Sequence, residues 1–160
     1  MNMNNSITRF FLPFLLALPL LAQSPKASER GSIIEDRAAR KLLQAGDARL
    51  ELGENEKALE IWESLVERYP GSQIRFEAHL RLADHLFKET KDFDKARLHY
   101  EAAAVESNAN DEKRAYAFLN TGTCFYEAGN YGKCFSIMRD VIEQFPTSSE
   151  VNEAYYYIGL

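Results

Sequence analysis

Among these 160 residues there is no block of like charge, no cluster of histidine or cysteine, and no apolar run long enough to cross a membrane. Each absence removes a class of function. The formal charge is −5, and the 19 lysine and arginine residues are spread among 24 acidic ones. Without a basic stripe to follow a phosphate backbone, nucleic-acid binding is not expected. The longest apolar run, Phe10 to Ala22, holds 13 residues, against the roughly 20 that a membrane-spanning helix needs. There is no nucleophile motif, phosphate-cradling glycine loop or paired-ligand spacing, so neither catalysis nor a cofactor is expected. The three histidines are scattered. His79 and His85 lie six positions apart, about 120° from facing one another on a helix, and the register of His99 points outward. All three read as surface residues rather than metal ligands.

The apolar run has a different use. Met1 to Thr8 are polar, Arg9 is basic, and polar Gln23-Ser24-Pro25-Lys26 follow the run. That order describes a secretory signal peptide over residues 1–22, with cleavage expected after Ala22. Pro13 and Pro19 interrupt the run, and Leu20 is bulkier than signal peptidase favours three places before the cut. No cysteine ends the run, so lipid attachment is not expected, nor is stable membrane insertion after cleavage. Residues 23–31 read as a linker. Ser32-Ile33-Ile34-Glu35 fits a capping box that would open the first helix.

The rest of the chain repeats itself. Gly46, Asp84 and Gly122 are spaced by 38. So are Gly53, Lys91 and Gly129; Ala58, Ala96 and Cys134; Trp62, Tyr100 and Met138; Leu65, Ala103 and Val141; and Pro70, Asn108 and Pro146. A shared register of small, bulky, apolar and terminating positions marks a stacked repeat. Within a unit the spacing is helical. Ala58, Trp62, Leu65, Val66 and Tyr69 fall on one side of a helix, and Leu42, Ala45 and Gly46 form an apolar face on the one before it. Asn55, Asp92 and Asn130 are expected to cap the second helices, and proline ends units one and three. Each unit is therefore a helical hairpin. Gly46 facing Ala58, and Gly122 facing Cys134, would let its two arms approach closely.

These residues resemble the tetratricopeptide repeat from Ala39 to Leu160. The third unit reads Phe118, Thr121-Gly122, Phe125, Gly129-Asn130-Tyr131, Cys134, Met138, Val141 and Pro146. Departures are Asp84 at a small place, Arg49 at an aromatic one and Asn108 at a proline. The resemblance implies an all-α, right-handed solenoid with units at 39–72, 77–110 and 115–148, and a partial fourth at 150–160. The endings Tyr69-Pro70-Gly71-Ser72 and Phe145-Pro146-Thr147-Ser148 resemble periplasmic members that work at the bacterial envelope. It further implies that the first helices line a concave face that binds a protein or peptide. By register that face would carry Leu43, Asp47 and Leu50; Arg81, His85, Lys88 and Glu89; Tyr116, Leu119, Thr123 and Tyr126; and Tyr156. Apolar ends around a basic centre would suit a segment with an acidic middle.

Cys124 and Cys134 stand on opposite arms of the third hairpin. A disulfide between them is one reading; two small buried residues at places usual for alanine is the preferred one. The expected function is a non-catalytic scaffold or adaptor of the cell envelope. Two alternatives remain open: a repeat module of a longer protein, able to self-associate through its incomplete fourth unit, and an accessory protein that grips a cell-wall polymer.

Overall fold

The computed structural model describes residues 33–105 and 111–159. The signal stretch, the linker, Ser32 and Asn108 lie outside the described residues. The elements are α1 (Ile33–Glu51), α2 (Asn55–Arg68), α3 (Ile74–His85) continued by a π-helical turn (Leu86–Thr90), α4 (Phe93–Ala104), α5 (Asp111–Glu127), α6 (Tyr131–Gln144) and α7 (Glu150–Gly159). No strand occurs among the described residues. The chain is an α-solenoid of three antiparallel hairpins and one further helix, and its first helix is described from Ile33, six residues before the repeat unit expected from Ala39.

Each second helix buries the same triplet at i, i+4 and i+7: Ala58, Trp62 and Leu65; Ala96, Tyr100 and Ala103; Cys134, Met138 and Val141. One apolar stripe per helix cannot be buried by that helix alone. The stripes close by stacking, because each of the three cores joins a hairpin to the first helix of the next unit. Ile74, Ala78 and Leu82 of α3 pack with Leu43, Trp62 and Leu65. Ala117 and Cys124 of α5 pack with Tyr100 and Ala103, and Ala154 of α7 packs with Met138 and Val141. Stability is thus shared between neighbours, as in other quasi-linear arrays. Ala45, expected on the apolar face of α1, is exposed.

The hairpin turns repeat one backbone solution. Gly53, Lys91 and Gly129 hold φ at 73°, 56° and 75°, the left-handed region where a side chain is strained. Asp92 and Asn130 then cap α4 and α6, accepting the N–H groups of Lys95 at 3.1 Å and Lys133 at 3.3 Å. Unit one departs from expectation. Asn55 is already helical, and Glu54 holds the N-cap place without a side-chain cap. Its carboxylate instead takes Arg49 at 2.7 Å and Lys57 at 3.1 Å. Proline stops α2 and α6 after Tyr69 and Phe145, whose carbonyls accept the N–H groups of Ser72 and Ser148.

The glycines face different neighbours from those expected. A Cβ on Gly46 would lie 2.3 Å from Trp62 Nε1, and one on Gly122 would lie 2.7 Å from Met138 Cε. The bulky residue of each second helix, rather than Ala58 or Cys134, occupies the space that the glycine leaves.

Candidate functional site

The first helices lie against one another along the solenoid, α1 on α3 and α5 on α7. Polar side chains tie them together. Ser72, at the entrance to α3, donates to Asp36 of α1 at 2.5 Å. Arg81 Nε donates to Asp47 Oδ1 at 3.1 Å. Lys113 of α5 meets Glu77 of α3, and Tyr157 of α7 meets Thr123 of α5.

Asp84 is the centre of this row. Its Oδ1 accepts the hydroxyls of Tyr100 at 2.6 Å and Tyr116 at 2.8 Å, and its Oδ2 lies 3.5 Å from Lys88 Nζ. One carboxylate therefore joins α3, α4 and α5. Burial, followed by the Asp84 hydrogen bond, pushes the Tyr100 hydroxyl far above the ordinary tyrosine range. Tyr116 moves the same way, from burial and then the Asp84 charge. Both phenols stay protonated and act as donors.

Two clefts open on this groove. One of about 400 Å³ between units one and two is lined by Leu50, Trp62, Arg81, Asp84, His85 and Lys88 with Asn55 and Glu89. The other, about 370 Å³, lies between α5 and α7 and is lined by Tyr116, Leu119, Asn120, Ser149, Glu150 and Glu153. At its far end Tyr126 packs edge-on against Tyr157 and against Tyr131, with ring centres 5.2 Å apart in both pairs.

The expected groove residues divide into three groups. Asp47, Arg81, Tyr116 and Tyr126 are half-buried, and Leu50 and Lys88 are exposed. Leu43, His85, Leu119 and Thr123 are buried and form the floor, where they support the surface without presenting it. Tyr156 is misplaced in the expectation. The 38-residue step from Leu119 reaches Tyr157, while Tyr156 stands at the place of Leu80, which packs in the core of unit two. Tyr156 is 64% exposed and Tyr155 58%. The same step, applied to Leu43, Arg81 and Leu119, could have found Tyr157.

The expected basic centre is also corrected. Arg81 is shared with Asp47 and Lys88 with Asp84, and Glu89, Glu150 and Glu153 add carboxylates to the clefts. The groove is mildly acidic.

One further expectation changes, and of the two readings of the cysteines the preferred one, two buried and unbridged residues, holds. His79 and His99 are not separate surface residues; they are half-buried, with Nδ1 atoms 3.0 Å apart. Cys124 and Cys134 are free thiols in different cores, Cys124 turned back toward unit two and Cys134 inside its own hairpin. Burial pushes Cys124 up to about 12 and raises Cys134 as well, which keeps both in the unreactive thiol form. Among the described residues no three of histidine, cysteine, aspartate and glutamate converge as metal ligands, and no helix is long and apolar enough to cross a membrane.

Comparison with known proteins agrees with this geometry. Two family models, both described as tetratricopeptide repeat, match residues 43–112 and 116–148. Over those residues the chain is a tetratricopeptide-repeat protein. Among solved structures it is similar to the N-terminal domain of stress-induced protein-1 (STI-1) from C. elegans, with a TM-score of 0.67 and 19% identity. That alignment covers 79% of this chain and 98% of the other, and it shows a shared fold. No curated protein matches the chain. Repeats of this kind generally mediate contact between proteins.

Proposed function

We propose that the chain is a non-catalytic adaptor that holds a segment of a partner protein along the groove lined by α1, α3, α5 and α7. The observation that carries this reading is the pair of clefts, about 400 and 370 Å³, that open on that one groove beside successive first helices. Half-exposed charges and tyrosine rings stand at their rims, where they can meet an extended peptide or one face of a helix. Because carboxylates outnumber cations there, a segment carrying lysine or arginine suits the groove better than one with an acidic middle. Export belongs to the same proposal and rests on the order of residues from Arg9 to Lys26. Removal of residues 1–22 would leave the repeats outside the cytoplasm, at a bacterial envelope.

The test is a screen of peptides against the chain, followed by affinity measurements on those retained. Tyr126→Ala should weaken capture about tenfold, the loss of roughly 1.4 kcal/mol of aromatic contact, without moving the thermal midpoint by more than a few degrees. Retained peptides that bind Tyr126→Ala and Arg81→Glu as tightly as the parent would place the binding surface elsewhere and end the groove reading.

A further inference from the structure

The paired histidines have no part in the groove. His79 comes from α3 and His99 from α4, the two arms of the second hairpin. Their rings are tilted by 42° with centres 5.2 Å apart, and their Nδ1 atoms are separated by 3.0 Å. At that distance one Nδ1–H donates to the other Nδ1, which requires at least one ring to leave that nitrogen bare.

Proton placement decides how long the contact lasts. In the neutral pair one ring donates and the other accepts. A first added proton can settle on the outer Nε2 of the donor, and the bond survives with added charge. A second must take the accepting Nδ1, which sets two N–H groups head to head. The surroundings do nothing to soften this. The charges acting on His79 are those of His99 and Arg75, and none shifts His99. The charges that shift His79, those of His99 and Arg75, both lower it and so do not favour its charged form.

We propose that His79 and His99 form an acid-sensitive latch, which holds α3 to α4 while the pair carries at most one extra proton and opens when both rings are charged. The direction follows from linkage. Burial first, then His99 and Arg75, lowers His79 to about 4 from the 6.5 of a free imidazole, and burial lowers His99. A base whose folded pKa is depressed favours the unfolded chain as protons are added. The contribution is therefore intact above about pH 6.5 and disappears as pH falls toward 4. His79 lies on the helix of Arg81 and Asp84, and His99 is next to Tyr100, so opening the latch would also loosen the groove. That last consequence rests on the adaptor reading; the latch does not.

The test needs no partner. Imidazole protons of the full chain are titrated by NMR, and urea unfolding is compared at pH 7 and pH 4.5 for the parent and for His79→Gln with His99→Gln. His79 should titrate near 4 and His99 below 6.5. The parent's unfolding constant should rise by at least about fifty-fold more than the variant's over that interval, the factor that His79 alone gives with a pKa of 6.5 unfolded and about 4 folded, to which the lowered His99 adds. Both rings titrating near 6.5, or an equal pH dependence in the variant, overturns the latch. Should the double variant fail to fold, the NMR titration of the parent decides alone.

Discussion

The outer hairpins and the central one answer the same packing problem in different ways. In units one and three a glycine gives up its side-chain volume, and Trp62 or Met138 fills it. In unit two the glycine's place holds Asp84, and the bulky place holds Tyr100, whose hydroxyl donates to that carboxylate at 2.6 Å. The replacement is concerted. A polar group where the helices meet is tolerated because its neighbour is polar at the matching end. The second unit also contains the histidine pair, the π-helical turn and the only non-glycine residue with positive φ among the described residues. Flanked by a unit on either side, the centre has partners for polar groups in three helices, whereas the outer hairpins rely on apolar volume.

The comparison breaks most readily at Gly46. The added Cβ of Gly46→Ala would overlap Trp62 Nε1 at 2.3 Å and Cδ1 at 2.6 Å, and a fully buried indole has no room to step aside. A cost of about 3 kcal/mol is expected, at the upper end for overpacking. In Gly122→Ala the closest atom is Met138 Cε, the mobile end of a flexible chain, with Ile137 Cγ2 at 3.2 Å. Together with the gain in helix propensity, its net cost should stay near 1 kcal/mol. Urea midpoints of the two variants measure the difference, and equal losses would show that the outer hairpins tolerate added volume alike.

The central hairpin should break differently. Asp84→Ala adds no volume strain but removes the acceptor of two tyrosine hydroxyls, one on a residue with no exposure. Stranding a buried donor costs about 2 kcal/mol. Tyr100→Phe alone should cost about 1 kcal/mol, an ordinary hydrogen bond. The double variant should then be more stable than the sum of the two losses predicts, by about 1 kcal/mol, because the hydroxyl left stranded is gone. Strictly additive losses in such a cycle would mean that Asp84 and Tyr100 contribute independently, contrary to the 2.6 Å contact.

What could be read from the residues, and what could not, follows the same division. Volume and periodicity are local, so the step of 38, the buried triplets and the helix order were all legible. Contacts between different helices were not. Asp47 neutralises a cation that lies 34 residues further along on another helix, so counting charges helix by helix made the centre look basic, although the pairing of Asp84 with Lys88 four residues on was local. His79 and His99 are 20 residues apart and converge only when the hairpin closes. Two slips were avoidable, since the step of 38 runs from Asp92 back to Glu54 and from Leu119 on to Tyr157, not to Asn55 and Tyr156. The cysteines lie between these cases. Their small size suited burial, but only the fold shows that they turn to separate cores.

The smallest expected effect has the opposite sign. Lys91 closes the second hairpin at φ 56°, where units one and three have glycine at 73° and 75°. A side chain in that region costs roughly 1 kcal/mol that glycine avoids, less what glycine loses through its freer unfolded chain. Lys91 is exposed, and its backbone N–H bonds to the Leu86 carbonyl at the end of the π-helical turn. Lys91→Gly keeps that bond and removes the strain, so the urea midpoint should rise, by about 0.5 kcal/mol in stability. Gly53→Ala and Gly129→Ala, with open space around the added carbon but positive φ beneath it, should lose a similar amount. A loss in Lys91→Gly as well would mean that the wide turn is held by the lysine side chain, and that the central hairpin departs from its neighbours in its turn as well as in its core.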